Sequence, residues 1–392
     1  MNHVDVEPVG LERHTAQQLV QGLFQNSGLH VVNMEPLQQG AFSRGRVVVV
    51  QNGGIDTRRL FLKHPTHITG VLTHSHMDEL HTNARAIPHG MTTHGVLGMR
   101  NDHVLHPLEA GHRVERIYMV LDALPAESIK LTRLLSHYGL DTVQSERTPV
   151  VDAVHMAFLL NNMSTIYSNV IDVLATIHEG ALPPENERAR LYAAGLQNII
   201  TDPIRLDGIA SIYFGFGQES ALNHDAFMML RKRMVLLAQA KGGEAQRLRT
   251  VHGDSWGPNI FVDNHLQTHF IDPAIALSDA GLDVVFATAD IAHIAIKEGV
   301  PEAPQIFLGF ADELVDHYAR KTGDVSIRKN MALFYGFKGF VRAVFDAKTE
   351  ESRMQAFCGA LGAVTLALRD PNFEFRFSDL GKYAAVGKQQ LH

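Results

Sequence analysis

The feature that most limits what this chain can fold into is a change of hydrophobic period near residue 125. Before it, RVVVVQN (46–52) and RRLFLKH (58–64) are short, rich in β-branched and aromatic residues, and separated by Gly53 and Gly54. That is the composition of two strands joined by a turn. LHVVNMEPLQQ ahead of them, then VLHPLEA (104–110) and RIYMVLDAL (116–124), continue the strand pattern. A helix is expected at 13–26, where Leu19, Val20, Leu23 and Phe24 share one face, and another near 75–87. Beyond about 128, apolar residues recur at helical spacing over 151–178, 222–240, 283–297, 304–321 and 329–367, with GALPPENER as a loop. The expectation is an α+β chain of two lobes. A small antiparallel β-sheet lobe with one helix, together with the N-terminal helix, spans 1–124, and a large, mainly helical lobe spans 125–392.

Composition excludes several classes. Lys and Arg number 35 against 42 Asp and Glu, and no third of the chain is basic enough to form a nucleic-acid footprint. No run of 18 apolar residues offers a membrane span, and the first residues lack a signal-peptide pattern. The single cysteine, Cys358, excludes a disulfide framework and suggests a reducing, cytoplasmic setting.

The helical part is interrupted once by strand-like segments, at RLRTVHGD, NIFVD and THFIDP, with Asp263-Asn264 as turn residues of a hairpin. Around it lies the densest chemistry, HGDSWGPNIFVDNHLQTHFIDP (252–273). Asp254 and Asn259 lie five apart on a loop between two strands, and Asp272 ends the returning strand. A hairpin brings its ends together, so Asn259 and Asp272 can share one cation while Asp254 faces an approaching reactant. Such oxygen ligands suit Mg²⁺, and the missing thiols argue against zinc.

This stretch resembles the aminoglycoside phosphotransferase and choline kinase-like family, of protein kinase-like fold. The family's signature is matched by His252-Gly253-Asp254, Asn259 and Ile271-Asp272-Pro273, with gaps of five and thirteen residues. The resemblance implies a small-molecule kinase that uses ATP or GTP with Mg²⁺, Asp254 being catalytic and Asn259 and Asp272 metal ligands. It further implies that Lys63 contacts the nucleotide phosphates and that Glu79, sixteen residues on, holds Lys63, with Asp78 and Glu109 as alternative carboxylates. The segment QQGAFSRG, with Gly40, Phe42, Ser43 and Gly45, would be the turn over the triphosphate, with Phe42 where the family has a glycine. The backbone of Asp122, Ala123 and Leu124 would meet adenine. Asp290-Ile291-Ala292 resembles the segment that supports the catalytic loop, while Gly281-Leu282-Asp283 replaces a Gly-Asp-Pro. His252 is expected to hydrogen-bond the loop, and Trp256 either to line the substrate cleft or to cover the hairpin. The substrate is expected to be a small molecule bearing a hydroxyl: an aminoglycoside, amino alcohol, sugar or nucleoside. A cationic one would want carboxylates in the helical lobe, with Asp279 and Asp283 among the acids available.

Two alternatives follow from the same sequence. VLTHSHMDELH (71–81) is similar to the metal-binding signature of metallo-β-lactamase-fold hydrolases through His74, His76 and Asp78, but has Glu79 at its last position. That fold would need strands through 130–240, where the spacing predicts helices. The other is a nucleotide-binding pseudokinase, against which stand Lys63, Asp254, Asn259 and Asp272.

Overall fold

The computed structural model describes residues 16–17, 20–21, 29–35, 38–39, 43–52, 57–65, 96–105, 113–125, 127–136, 153–200, 222–271, 276–294, 303–345 and 349–391. The chain divides into two compact units, Met1–Ala126 and Glu127–His392.

The first unit is built on an antiparallel sheet of six strands: β1 (Leu29–Met34), β2 (Gln38–Gln39), β3 (Ser43–Asn52), β4 (Thr57–Pro65), β5 (Val96–Leu105) and β6 (Arg113–Asp122). Their order is β1-β3-β4-β6-β5, with β2 beside β3. Alternation along β3 and β4 buries Val48, Val50, Leu60 and Leu62 with Val31, and Ala16 and Val20 join that cluster. Ala16, Gln17, Val20 and Gln21 are helical, and the Gln17 side chain accepts the Val31 N–H at 2.7 Å. Of the strand expected at 104–110, Val104 and Leu105 end β5, which begins earlier, at Val96, and 106–110 lie outside the described residues. As an edge strand it carries Arg100, Asn101, Asp102 and His103 rather than an apolar run, which hid it from the hydrophobic pattern.

The second unit is mainly helical. It runs from β7 (Ile129–Lys130) and α1 (Leu131–Ser136) through α2 (Ala153–Asn161), α3 (Met163–His178), α4 (Glu185–Ile200) and α5 (His224–Lys241) to the short strands β8 (Leu248–Val251), β9 (Ile260–Val262), β10 (Thr268–Phe270) and β11 (Ala276–Asp279). Then follow α6 (Gly281–Ile294), α7 (Ala303–Thr322), α8 (Ile327–Phe345), α9 (Glu350–Arg369) and α10 (Leu380–Leu391). β10-β9-β7 form one small sheet and β11-β8 another. No helix among the described residues is long and apolar enough to cross a membrane.

Three helical expectations change in detail. The run 151–178 is two helices, because Asn162 turns its amide back onto the Phe158 carbonyl at 2.8 Å. GALPPENER is only half a loop: Glu185 and Glu187 form the acidic first turn of α4, placed where carboxylates complement the helix dipole. The run 329–367 is α8 and α9, the latter started by Thr349, whose side chain accepts the Ser352 N–H.

α8 is the core helix, with Met331, Leu333, Phe334, Tyr335, Phe337 and Phe340 all buried. α9 and α10 cross at backbone contact. A Cβ on Gly387 would collide with the Cys358 carbonyl, and one on Gly362 with the Tyr383 carbonyl.

Candidate active site

The His-Gly-Asp loop leaves β8 and enters a 3-10 turn, Gly257–Asn259, before β9. Gly253 has φ of +80°, a conformation that costs a side chain steric strain, which explains glycine between His252 and Asp254. The fully buried His252 uses Nδ1 to accept the Asp254 N–H at 3.2 Å, the structural part expected of it. Asp254 is half-buried, and its Oδ2 accepts the Asn259 amide N–H at 2.8 Å. The same Nδ2 donates to the Asp254 carbonyl at 3.0 Å. That spends the amide nitrogen and leaves Asn259 Oδ1, to which no described residue donates, as an acceptor for a hard cation.

The hairpin does what the sequence predicts, over a longer turn. Val262 pairs with Thr268, so the loop is 263–267 rather than Asp263-Asn264 alone. Asp263 Oδ1 accepts the N–H groups of His265 and Gln267, and Leu266 takes φ of +62°. At the open end the Ile271 N–H donates to the Asn259 carbonyl at 2.9 Å. The residue before Asp272 is thereby tied to Asn259. Asp272 itself lies outside the described residues.

The loop is braced from α6 by two carboxylates seven residues apart. Asp283 is fully buried and accepts four donors: His252 N–H at 2.6 Å, Gly253 N–H at 2.9 Å, the Ser255 hydroxyl at 3.0 Å and His178 Nε2 at 3.0 Å. Behind it, His178 Nδ1 meets the Tyr318 hydroxyl at 2.8 Å. Burial alone would raise the Asp283 carboxyl, but His178 and the loop donors hold it below the usual carboxylate range. Two turns on, Asp290 Oδ2 accepts the Gly257 N–H at 3.2 Å. Support of the His252–Asn259 loop, which the resemblance assigned to the Asp290 segment, is thus shared, and Asp283 carries the His-Gly-Asp half. Lys338 Nζ pairs with Asp290 Oδ1 at 3.3 Å, and sequence reasoning missed both His178 and Lys338 in this network. Their partners are over 45 residues away, so no local spacing marks them.

Asp279 and Asp283 are correspondingly unavailable to a cationic substrate. Asp279 is fully buried and takes a bidentate Arg247 at 2.6 and 2.9 Å, with Tyr192 at 2.7 Å and Asn330 at 3.0 Å. Burial opposes its charge, yet Arg247 keeps its carboxyl low. Trp256 covers a buried cation: Lys338 Nζ lies 4.9 Å from its ring centre. Its indole N–H is buried, with no hydrogen-bond partner among the described residues.

In the first unit Lys63 is on β4, paired with Gly45 on β3 and Met119 on β6. Gly45 is therefore within a strand and not in the turn expected at 40–45, because Gln38 and Gln39 extend the ladder beside it. Ser43 begins that same strand, while Gly40, Phe42 and Glu79 lie outside the described residues, as do His74, His76 and Asp78. At the end of β6, Ala123 N–H donates to the Arg59 carbonyl at 3.3 Å and Arg59 Nη1 donates to the Leu124 carbonyl at 2.7 Å. Of the backbone expected to meet adenine, Ala123 C=O and Leu124 N–H have no partner among the described residues. No group of three His, Cys, Asp or Glu side chains among the described residues could hold a metal. The segments 153–178 and 224–241, where a metallo-β-lactamase fold would need strands, are helical.

No family model matches the chain, and no curated protein sequence does. Among solved structures, a spectinomycin phosphotransferase in complex with ADP and spectinomycin is similar at 12% identity and TM-score 0.46, over 97% of this chain and 99% of that one. The choline kinase LicA from Streptococcus pneumoniae is similar at 12% identity and TM-score 0.41, over 96% and 98%. An amicoumacin kinase in complex with AMP-PNP and Ca²⁺ is similar at 10% identity and TM-score 0.46, over 96% and 94%.

Proposed function

We propose that this protein is an ATP- or GTP-dependent phosphotransferase that uses Mg²⁺ to phosphorylate a hydroxyl group of a small molecule. The observation that carries it is the His252–Asn259 loop. A half-buried carboxylate, Asp254, is locked by Asn259 on a backbone that Asp283 fixes at both His252 and Gly253. Phosphoryl transfer passes through a loose transition state, so positioning matters more than a strong base. Asp254 would orient the substrate hydroxyl and take its proton as the oxygen bonds to the γ-phosphorus and the bond to ADP or GDP breaks. The donor set fits a hard divalent ion: Asn259 Oδ1, with Asp272 proposed as the second ligand. Bound Mg²⁺ would neutralise charge on the phosphate oxygens. Lys63 would bind phosphates and Glu79 hold Lys63. Gly40 and Phe42, with Ser43 and Gly45 at the start of β3, would cover the triphosphate, and the backbone of Asp122–Leu124 would take the base.

With Asp279 and Asp283 committed internally, nothing in their chemistry favours a cationic acceptor over a neutral one. The test is ADP release from Mg-ATP across a panel of aminoglycosides, amino alcohols, sugars and nucleosides, with Asp254→Asn as control. Turnover with one class should fall about 10²–10⁴-fold in the variant. Release that Asp254→Asn leaves intact would contradict the assignment.

A further inference from the structure

We infer that Lys338, on the core helix α8, is a positioning residue for the metal ligand Asn259, acting through Asp290 and the Trp256–Gly257 turn. This rests on the kinase reading of the loop. Lys338 is buried, and among the described residues its ammonium meets one carboxylate and two aromatic rings. Asp290 Oδ1 is 3.3 Å away, and the ring centres of Trp256 and Phe286 are 4.9 and 5.4 Å away. Two of the three belong to or hold the catalytic loop. Trp256 immediately precedes the 3-10 turn, and Asp290 takes the Gly257 N–H that opens it.

The turn in turn fixes Asn259. Its N–H donates to the Trp256 carbonyl at 2.9 Å, and its carbonyl accepts Ile271 N–H at 2.9 Å, beside Asp272. There is no slack at Gly257. A Cβ there would lie 2.8 Å from the Thr132 methyl and 3.1 Å from Asp290 Oδ2. A shift in the Asp290 carboxylate is therefore passed to the turn.

A buried ion pair is a poor stabiliser, since desolvating both charges offsets their attraction, and an apolar pair would pack as well. What the charges add is orientation. The ammonium holds Oδ1, which leaves Oδ2 aimed at Gly257. Without Lys338 the carboxylate would lose the partner that holds Oδ1, and its bond to the turn would loosen. Residues that orient metal ligands from behind set affinity for the ion.

The experiment measures, by thermal shift on the full chain, the Mg²⁺ concentration giving half-maximal stabilisation at saturating ATP. Mn²⁺ binding to the AMP-PNP complex, followed by electron paramagnetic resonance, provides a second readout without turnover. Lys338→Met is compared with Lys338→Met/Asp290→Asn, which removes both charges and so avoids stranding a buried carboxylate, and with Lys338→Arg. The half-point should rise about 10–100-fold in the first two. Nucleotide dependence at saturating Mg²⁺ should stay as in the wild type. Lys338→Arg should recover most of the affinity, because it keeps the charge and can stack on Trp256. An unchanged Mg²⁺ half-point in the folded double variant, with a responsive wild type, would overturn the role of Lys338 alone. A wild type showing no Mg²⁺-dependent nucleotide response would overturn the kinase reading, and this inference with it.

Discussion

Asp283→Asn changes one atom in kind and almost nothing in shape, so it isolates what the carboxylate does. The native Oδ2 accepts His252 N–H and His178 Nε2, and Oδ1 accepts Gly253 N–H and the Ser255 hydroxyl. An amide oxygen placed at Oδ2 keeps the first pair and turns an NH₂ group on Gly253. Ser255 can rotate to accept from it, but the Gly253 N–H cannot. One buried donor is then left unsatisfied and two charge-assisted bonds become neutral ones. With some relief from no longer burying a charge, the net cost is about 2–4 kcal/mol. That is a large fraction of the stability of an ordinary domain, about 5–15 kcal/mol. Asp283→Ala strands all four donors and should cost more.

The chain supplies its own probe for this change. Trp256 is the single tryptophan and sits within the loop. Urea unfolding followed by its fluorescence therefore reads the unit that Asp283 braces. The midpoint should fall with little change in slope. A loss below about 0.5 kcal/mol, the range of an indifferent surface substitution, would refute the claim that this carboxylate holds the loop.

Further outcomes follow from the same geometry. Gly253→Ala forces a side chain into the left-handed conformation and should cost about 1–3 kcal/mol in the same unfolding assay, with loss of turnover. Asp279 and Asp283 both have carboxyls held below their ordinary value, so the unfolded chain binds more protons as pH falls. Their stabilisation is complete above about pH 4 and is lost as pH drops through their native values. The urea midpoint measured against pH should decline in that acid window, less steeply in Asp283→Asn. Arg247→Met leaves Asp279 buried without its cation and should cost about 3–5 kcal/mol in the same unfolding assay, whereas Arg247→Lys, which cannot form the bidentate pair, should fall between.

What could be read from the sequence was local. The valine run of β3 and the alternation of β4 declare themselves by composition, and the hairpin after Asn259 by the strands on either side of it. His252, Asp254 and Asn259 lie within eight residues, so spacing alone brings them together. The bracing does not work that way. His178 and Asp283 are 105 positions apart and meet only because α3 and α6 pack in the same core. Lys338 looks like one more helical lysine until α8 proves buried along its length. Asp279 and Asp283 illustrate the converse. Two acids just past the hairpin suggested a place for a cation, yet a sequence cannot show that Arg247, His178 and the loop backbone already occupy their oxygens. The helix break at Asn162 was hidden because apolar spacing continues across it, whereas the polar stretch around Thr349 is visible in the sequence and its cap is made by a single side-chain bond.

The most direct test of the central claim is nucleotide-dependent thermal stabilisation of the wild type and Asp272→Ala, with Mg-ATP, Mg-GTP and ATP plus chelator in parallel. A phosphotransferase site predicts Mg²⁺-dependent stabilisation of about 2.7 kcal/mol at a hundred times the dissociation constant, lost in Asp272→Ala. No nucleotide response, or one that Asp272→Ala leaves untouched, would contradict it.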